Sequence, residues 1–278
     1  MKYITRASLA ILCSVLALTQ TSCRSREQVR LARPDSEVIV KRTYKSFEDI
    51  AQIAAESGYI EIDRFDPNKK GFPDVILTNF GHAPQYWKPA KEMLNAMLKE
   101  GDGFYPEGFD DQLELHTGAV AADYNLPDRF KKWVNERTQS NLNNHPYYKG
   151  CLELESTKKA TLVGVDDTAL SLYQTVVRQQ IRDTASTALA NKLIRRFKKM
   201  SEARTKNMVC GVISTMENTP GQDWVYFGGI HLGMATHVEE PVLIEEMLNR
   251  KIAYQLISHP ILEEMIKADK EAQGVKNP

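Results

Sequence analysis

The chain has 278 residues, and its 36 Lys and Arg balance its 36 Asp and Glu to a formal net charge of zero. A neutral chain gives no case for general nucleic-acid binding. Four cysteines without a CxxC pair leave no cysteine-based zinc signature.

Lys2 and Arg6 precede an apolar run from Leu9 to Leu18, which has the length of a signal h-region and is too short for a membrane-crossing helix. Thr19 to Ser22 is small and polar, and Cys23 follows. The expected organisation is a signal peptide over 1–22, a polar tether over 23–36 and an α/β domain over 37–278. A cysteine just after an h-region points to lipidation at Cys23 and a membrane-anchored lipoprotein on the periplasmic or extracellular side. Plain secretion and an uncleaved anchor are the alternatives. No later segment approaches the length of a membrane span. Losing 1–22 removes two basic groups and no acidic one, which takes the charge from 0 to −2. Cys151 and Cys210 are then the remaining thiols, free to pair in an oxidising compartment if their geometry allows.

Ser46 reads as an N-cap of a helix that Gly58 ends. Tyr59 to Asp63 alternates like a strand. Val75-Ile76-Leu77 is a short buried strand, Asn79 to Pro84 a loop, and Ala90 to Lys99 a helix with Met93, Leu94, Met97 and Leu98 on one face. Phe104-Tyr105 is a strand that ends at Glu107. Arg129 to Glu136 reads as a helix and Asn141 to Gly150 as a loop. Ala160 to Val165 reads as a strand that ends at Asp166-Asp167. Thr168 to Met216 is helical, in two or three pieces, with a basic stretch from Lys192 to Lys199. That stretch is a solvated face or a contact for an acidic partner or membrane. Asp223 to Phe227 is a strand, Pro241 opens a helix, Ile252 to Ile257 is the last strand, and Pro260 starts a terminal helix. Alternating strands and helices specify a single α/β domain, with a mainly parallel or mixed sheet flanked by helices.

Ligands of such sheets bind beyond the carboxyl ends of the strands. His82, Glu107, Asp166 and His231 all follow strands and are expected at that edge. Imidazole can ligate a metal or serve as a base near neutral pH, and a neighbouring carboxylate can complete either arrangement. His116, His145 and His259 lack this context and are read as surface residues. His237 is an accessory candidate. Trp87, Tyr105 and Phe109 could line an apolar wall beside the histidines or pack in the core.

Asn79-Phe80-Gly81-His82, Gly164-Val165-Asp166, the helix around Arg204 to Met208, and Gly228-Gly229-Ile230-His231 together resemble the TraB/TIKI superfamily, with its erythromycin-esterase-like and ChaN-like relatives. The resemblance spans about 73–258. The chain departs from the family pattern at Asn79, Phe80 and Thr205. The resemblance implies a hydrolase of peptides or esters with His82, Glu107, His231 and Arg204 as catalytic residues. In a metal-dependent version, His82, His231 and Glu107 hold a divalent metal that activates water. In a metal-free version, one His is the general base, with Glu107 and Arg204 orienting and stabilising. Two further readings stand beside it. One is a ChaN-like haem- or iron-binding lipoprotein with Tyr86 or Met234 as axial ligand. The other is a divergent relative without catalysis. No Walker A, GxGxxG, HExxH or GxSxG motif is present.

Overall fold

The computed structural model describes residues 44–79, 81, 84–111, 118, 122, 127–234 and 242–272. The expected signal peptide, Cys23, His82, His116 and His237 lie outside them. The described residues all fall within one compact unit, Arg42–Pro278.

Ser46 caps α1 (Phe47–Glu56). Its hydroxyl accepts from the Asp49 amide while the Asp49 carboxylate accepts from the Ser46 amide, a complete capping box. The chain then forms β1 (Ile60–Phe65), β2 (Val75–Asn79), α2 (Pro84–Met97), β3 (Gly103–Pro106), α3 (Arg129–Asn144) and α4 (Pro146–Lys158). There follow β4 (Thr161–Leu162), α5 (Thr168–Asp183), α6 (Thr187–Thr215), β5 (Asp223–Phe227), the single turn α7 (Gly229–Leu232), α8 (Leu243–Asn249), β6 (Tyr254–Ser258) and α9 (Pro260–Ala272). Among the described residues no helix is long and apolar enough to cross a membrane.

The six strands form one sheet in the order β1-β6-β2-β5-β3-β4. β1 runs antiparallel to β6, and every other pairing is parallel. Strands β2, β5 and β6 are buried along their whole length, because successive side chains enter cores on opposite faces. Ile76, Phe104, Trp224, Tyr226 and Ile257 pack with α1, α2 and α4. Val75, Leu77, Tyr105, Val225, Phe227 and Leu256 pack with Met208, Val209 and Val212 of α6 and with Leu243 and Met247 of α8. A third cluster joins α3, α5 and the first half of α6 through Phe130, Val134, Tyr173, Val177, Leu193 and Met200.

Three local expectations are corrected. Asn141 to Gly150 is helical on both sides of His145, not loop. Pro146 occupies the first turn of α4, where a missing N–H costs nothing, and the His145 side chain caps it by accepting from the Tyr147 amide at 3.3 Å. The helix expected from Ala90 begins at Pro84 and carries Pro89 within it. The strand expected over Ala160 to Val165 is regular only at Thr161–Leu162. Beyond it Gly164 lies tight against Asp111, and Val165 bridges to Asp110.

Candidate functional site

β5, β3 and β4 are adjacent and parallel, so their carboxyl ends open on one stretch of sheet edge. Glu107 follows β3 directly, Gly228 follows β5, and Asp166 lies just past β4. The Glu107 amide donates to the Tyr226 carbonyl at 3.0 Å and the Asp166 amide to the Phe109 carbonyl at 2.9 Å. Both carboxylates are therefore carried on a fixed backbone.

Arg204, on α6, is the hub. It is buried, as are Glu107, Asp166 and His231. Its Nε donates to Asp166 Oδ1 at 2.7 Å and its Nη2 to Asp166 Oδ2 at 2.5 Å, a bidentate fork. Nη2 also reaches Glu107 Oε1 at 2.8 Å, and Nη1 lies 3.3 Å from His231 Nε2. Burial pulls the guanidinium's pKa down. The charges and hydrogen bonds of Asp166 and Glu107 outweigh it and hold the pKa above its ordinary value.

Backbone amides complete the cluster. Gly228 N–H donates to Glu107 Oε2 at 2.6 Å and Gly108 N–H to Asp166 Oδ2 at 2.8 Å. A Cβ on Gly228 would stand 3.2 Å from Glu107 Oε2, so glycine there permits the close approach.

The histidine is oriented from both sides. His231 Nδ1 lies 2.8 Å from the Thr205 hydroxyl. A guanidinium only donates, so the Arg204 contact makes Nε2 the acceptor and leaves the proton on Nδ1, which donates to Thr205. This assignment makes His231 a neutral imidazole, with Nε2 3.7 Å from Glu107 Oε1.

Three expected site residues, Glu107, Asp166 and His231, meet around Arg204. His82 is outside the described residues. His259 follows β6 at the same sheet edge, partly exposed, with its ring edge-on to Tyr59 at 5.5 Å and Tyr86 at 5.7 Å. His145 is exposed. Trp87 and Phe109 pack on Tyr147 in one core, while Tyr105 points into the other, so the three form no common wall. Met234 is buried against the second core, and the Tyr86 hydroxyl lies 4.0 Å from Met265 Sδ.

Sequence reasoning missed Thr205, Tyr147 and Tyr148. The Tyr147 hydroxyl donates to the Glu107 carbonyl at 2.7 Å. Tyr148 has its pKa pushed up to about 12, by burial first and then by the Asp166 and Glu107 carboxylates. Reading Pro146 as the start of a helix would have put both tyrosines in its first turn. Thr205 was visible only as a departure from the family pattern.

A guanidinium stands at the cluster centre, and the expected metal set of His82, His231 and Glu107 includes His82, which lies outside the described residues. Each carboxylate oxygen of Glu107 and Asp166 accepts from Arg204 or from a backbone amide, and His231 Nε2 accepts from Arg204. Among the described residues no group of three or more His, Cys, Asp or Glu is arranged to hold a metal. Cys151 and Cys210 are not disulfide-bonded: Cys151 is buried in the first core, and Cys210 is on α6.

Comparison with known proteins gives no match, whether to a family model, a curated sequence or a solved structure.

Proposed function

We propose that the chain is an exported hydrolase of esters or peptides that uses a metal-free site, with His231 as the general base. The observation that carries this reading is the Arg204 hub, which joins two buried carboxylates to a neutral imidazole at the carboxyl ends of parallel strands. Nε2 of His231, released from Arg204 Nη1, takes a proton from water as the water attacks a carbonyl carbon, and the imidazolium returns it to the departing alkoxide or amine as the acyl C–O or C–N bond breaks. Glu107, 3.7 Å away, steadies the imidazolium that forms. Arg204 sits beside the developing oxyanion and supplies positive charge where water is scarce. Asp166 holds the guanidinium in register through its bidentate contact.

The same saturation of hydrogen bonds favours a second reading, in which the cluster is a structural lock in a relative without catalysis. Hydrolysis of chromogenic esters and fluorogenic peptides, assayed in a chelator, separates the two. The hydrolase reading expects turnover that survives chelation and falls about 10²–10⁴-fold in His231→Ala. Turnover equal in wild type and variant would overturn it. Turnover lost on chelation would return the mechanism to a divalent metal. Lipidation at Cys23 is part of the proposal and is tested separately, by mass spectrometry of the membrane fraction.

A further inference from the structure

Charge is unevenly spread over this neutral chain. Arg129, Lys131, Lys132 and Arg137 lie on α3, Arg178 and Arg182 on α5, and Lys192, Arg195, Arg196, Lys198 and Lys199 on the first half of α6. Only Glu136 and Asp183 oppose them within 129–144, 168–183 and 187–200. These helices share the third core, so the surplus of nine positive charges belongs to one packed lobe. The remainder of the chain carries the compensating negative charge.

On α6 the buried residues Leu193 and Met200 face that core. Lys192, Arg195 and Lys199 follow the i, i+3, i+7 spacing of one helix face, flanked by Ile194 and Lys198, and all five are exposed. Among the described residues no ion pair involves Lys192, Arg195 or Lys199. Exposed apolar side chains lie on the same lobe: Ile194, 50% exposed, and Leu189, 46%, on α6, and Trp133, 39%, on α3.

We propose that this lobe docks on an anionic lipid surface. Cations spread along one exposed helix face suit diffuse attraction to a charged plane. The exposed Ile, Leu and Trp distinguish a bilayer from the other polyanions, because apolar side chains gain from entering the headgroup region and gain nothing from a phosphodiester backbone. Docking does not depend on acylation at Cys23 and holds for a chain without lipid.

The test is co-sedimentation of the full-length, non-acylated protein with vesicles of phosphatidylcholine alone or mixed with phosphatidylglycerol, at low and high salt. Each cation near such a surface strengthens binding by roughly fivefold at low salt. The expected result is binding that rises with phosphatidylglycerol, collapses at high salt and drops at least tenfold in K192E/R195E/K199E. Ile194→Ser should weaken it severalfold and leave the salt dependence unchanged. Equal binding to both vesicle types by wild type overturns the proposal without recourse to any variant. So does salt-sensitive binding to duplex DNA with none to anionic vesicles, and so does a folded triple variant that binds like wild type.

Discussion

Arg204→Met isolates what the guanidinium contributes, because methionine keeps most of the apolar stem and removes the charge. Arg204 is 9% exposed, and its partners Glu107 and Asp166 are 4% and 0% exposed. With Met at this position, two buried carboxylates lose their shared cation, and the local charge goes from −1 to −2 with His231 neutral. Breaking a buried ion pair by removing one partner costs about 3–5 kcal/mol, because the partner left behind stays desolvated and unpaired. Two stranded carboxylates place this variant at the upper end, and a domain of this size loses about 2–4 °C per kcal/mol. Urea denaturation followed by circular dichroism, with thermal melts alongside, should show a midpoint lowered on the order of 10 °C. Adding Asp166→Asn to Arg204→Met removes one stranded charge and should recover part of the loss, a coupling of about 1–3 kcal/mol. A loss below about 1 kcal/mol, or strict additivity of the two substitutions, would refute the hub.

Asp223 gives a pH prediction at the opposite sheet edge. Its pKa is pushed up to about 7 by burial first, opposed by the hydrogen bond from Thr219 and reinforced by the carboxylates of Asp102 and Asp74. The native protein therefore keeps a proton that the unfolded chain has already released, so this group's contribution to stability declines from about pH 4 and is lost as pH rises through about 7. Asp223→Asn should flatten that slope in urea titrations and stabilise the protein at pH 8, by up to about 4 kcal/mol. A variant with the wild-type slope contradicts this. Gly108 has φ +87, and a Cβ there would come 2.5 Å from the Tyr148 hydroxyl, so Gly108→Ala should cost about 1–3 kcal/mol in the same assay. Burial pushes the Cys151 thiol well above its ordinary value, so alkylation should label it only on unfolding. A Cys151–Cys210 disulfide in peptide maps would contradict the fold.

The fold was legible because the chain alternates short apolar runs with amphipathic stretches and breaks them with capped turns. Ser46-x-x-Asp49 and Val75-Ile76-Leu77 each carry their structure in a few residues. Where one residue type serves two purposes, sequence and structure part: Pro146, expected in a loop, opens a helix, and the strand expected to reach Val165 ends at Leu162. The site was legible as far as strand ends allow: Glu107, Asp166 and His231 had to share an edge once the sheet was parallel. Their assembly was not legible from spacing, since Arg204 is 38 residues from Asp166 and 97 from Glu107. An Arg fork takes carboxylates from whatever strands its helix packs against, and only the packing of α6 on the sheet decides which. Thr205, the next residue on α6, supplies a hydroxyl at the imidazole.

The most direct test of the proposed site is the tautomer of His231, read from long-range ¹H–¹⁵N spectra of histidine-labelled protein and assigned with His231→Ala. The Arg204 hub predicts a neutral ring at pH 7 with Nδ1 protonated and Nε2 an acceptor. It further predicts that Arg204→Met disturbs this state. A proton on Nε2, or an imidazolium at pH 7, would contradict both the hub and the assignment of Nε2 as the base.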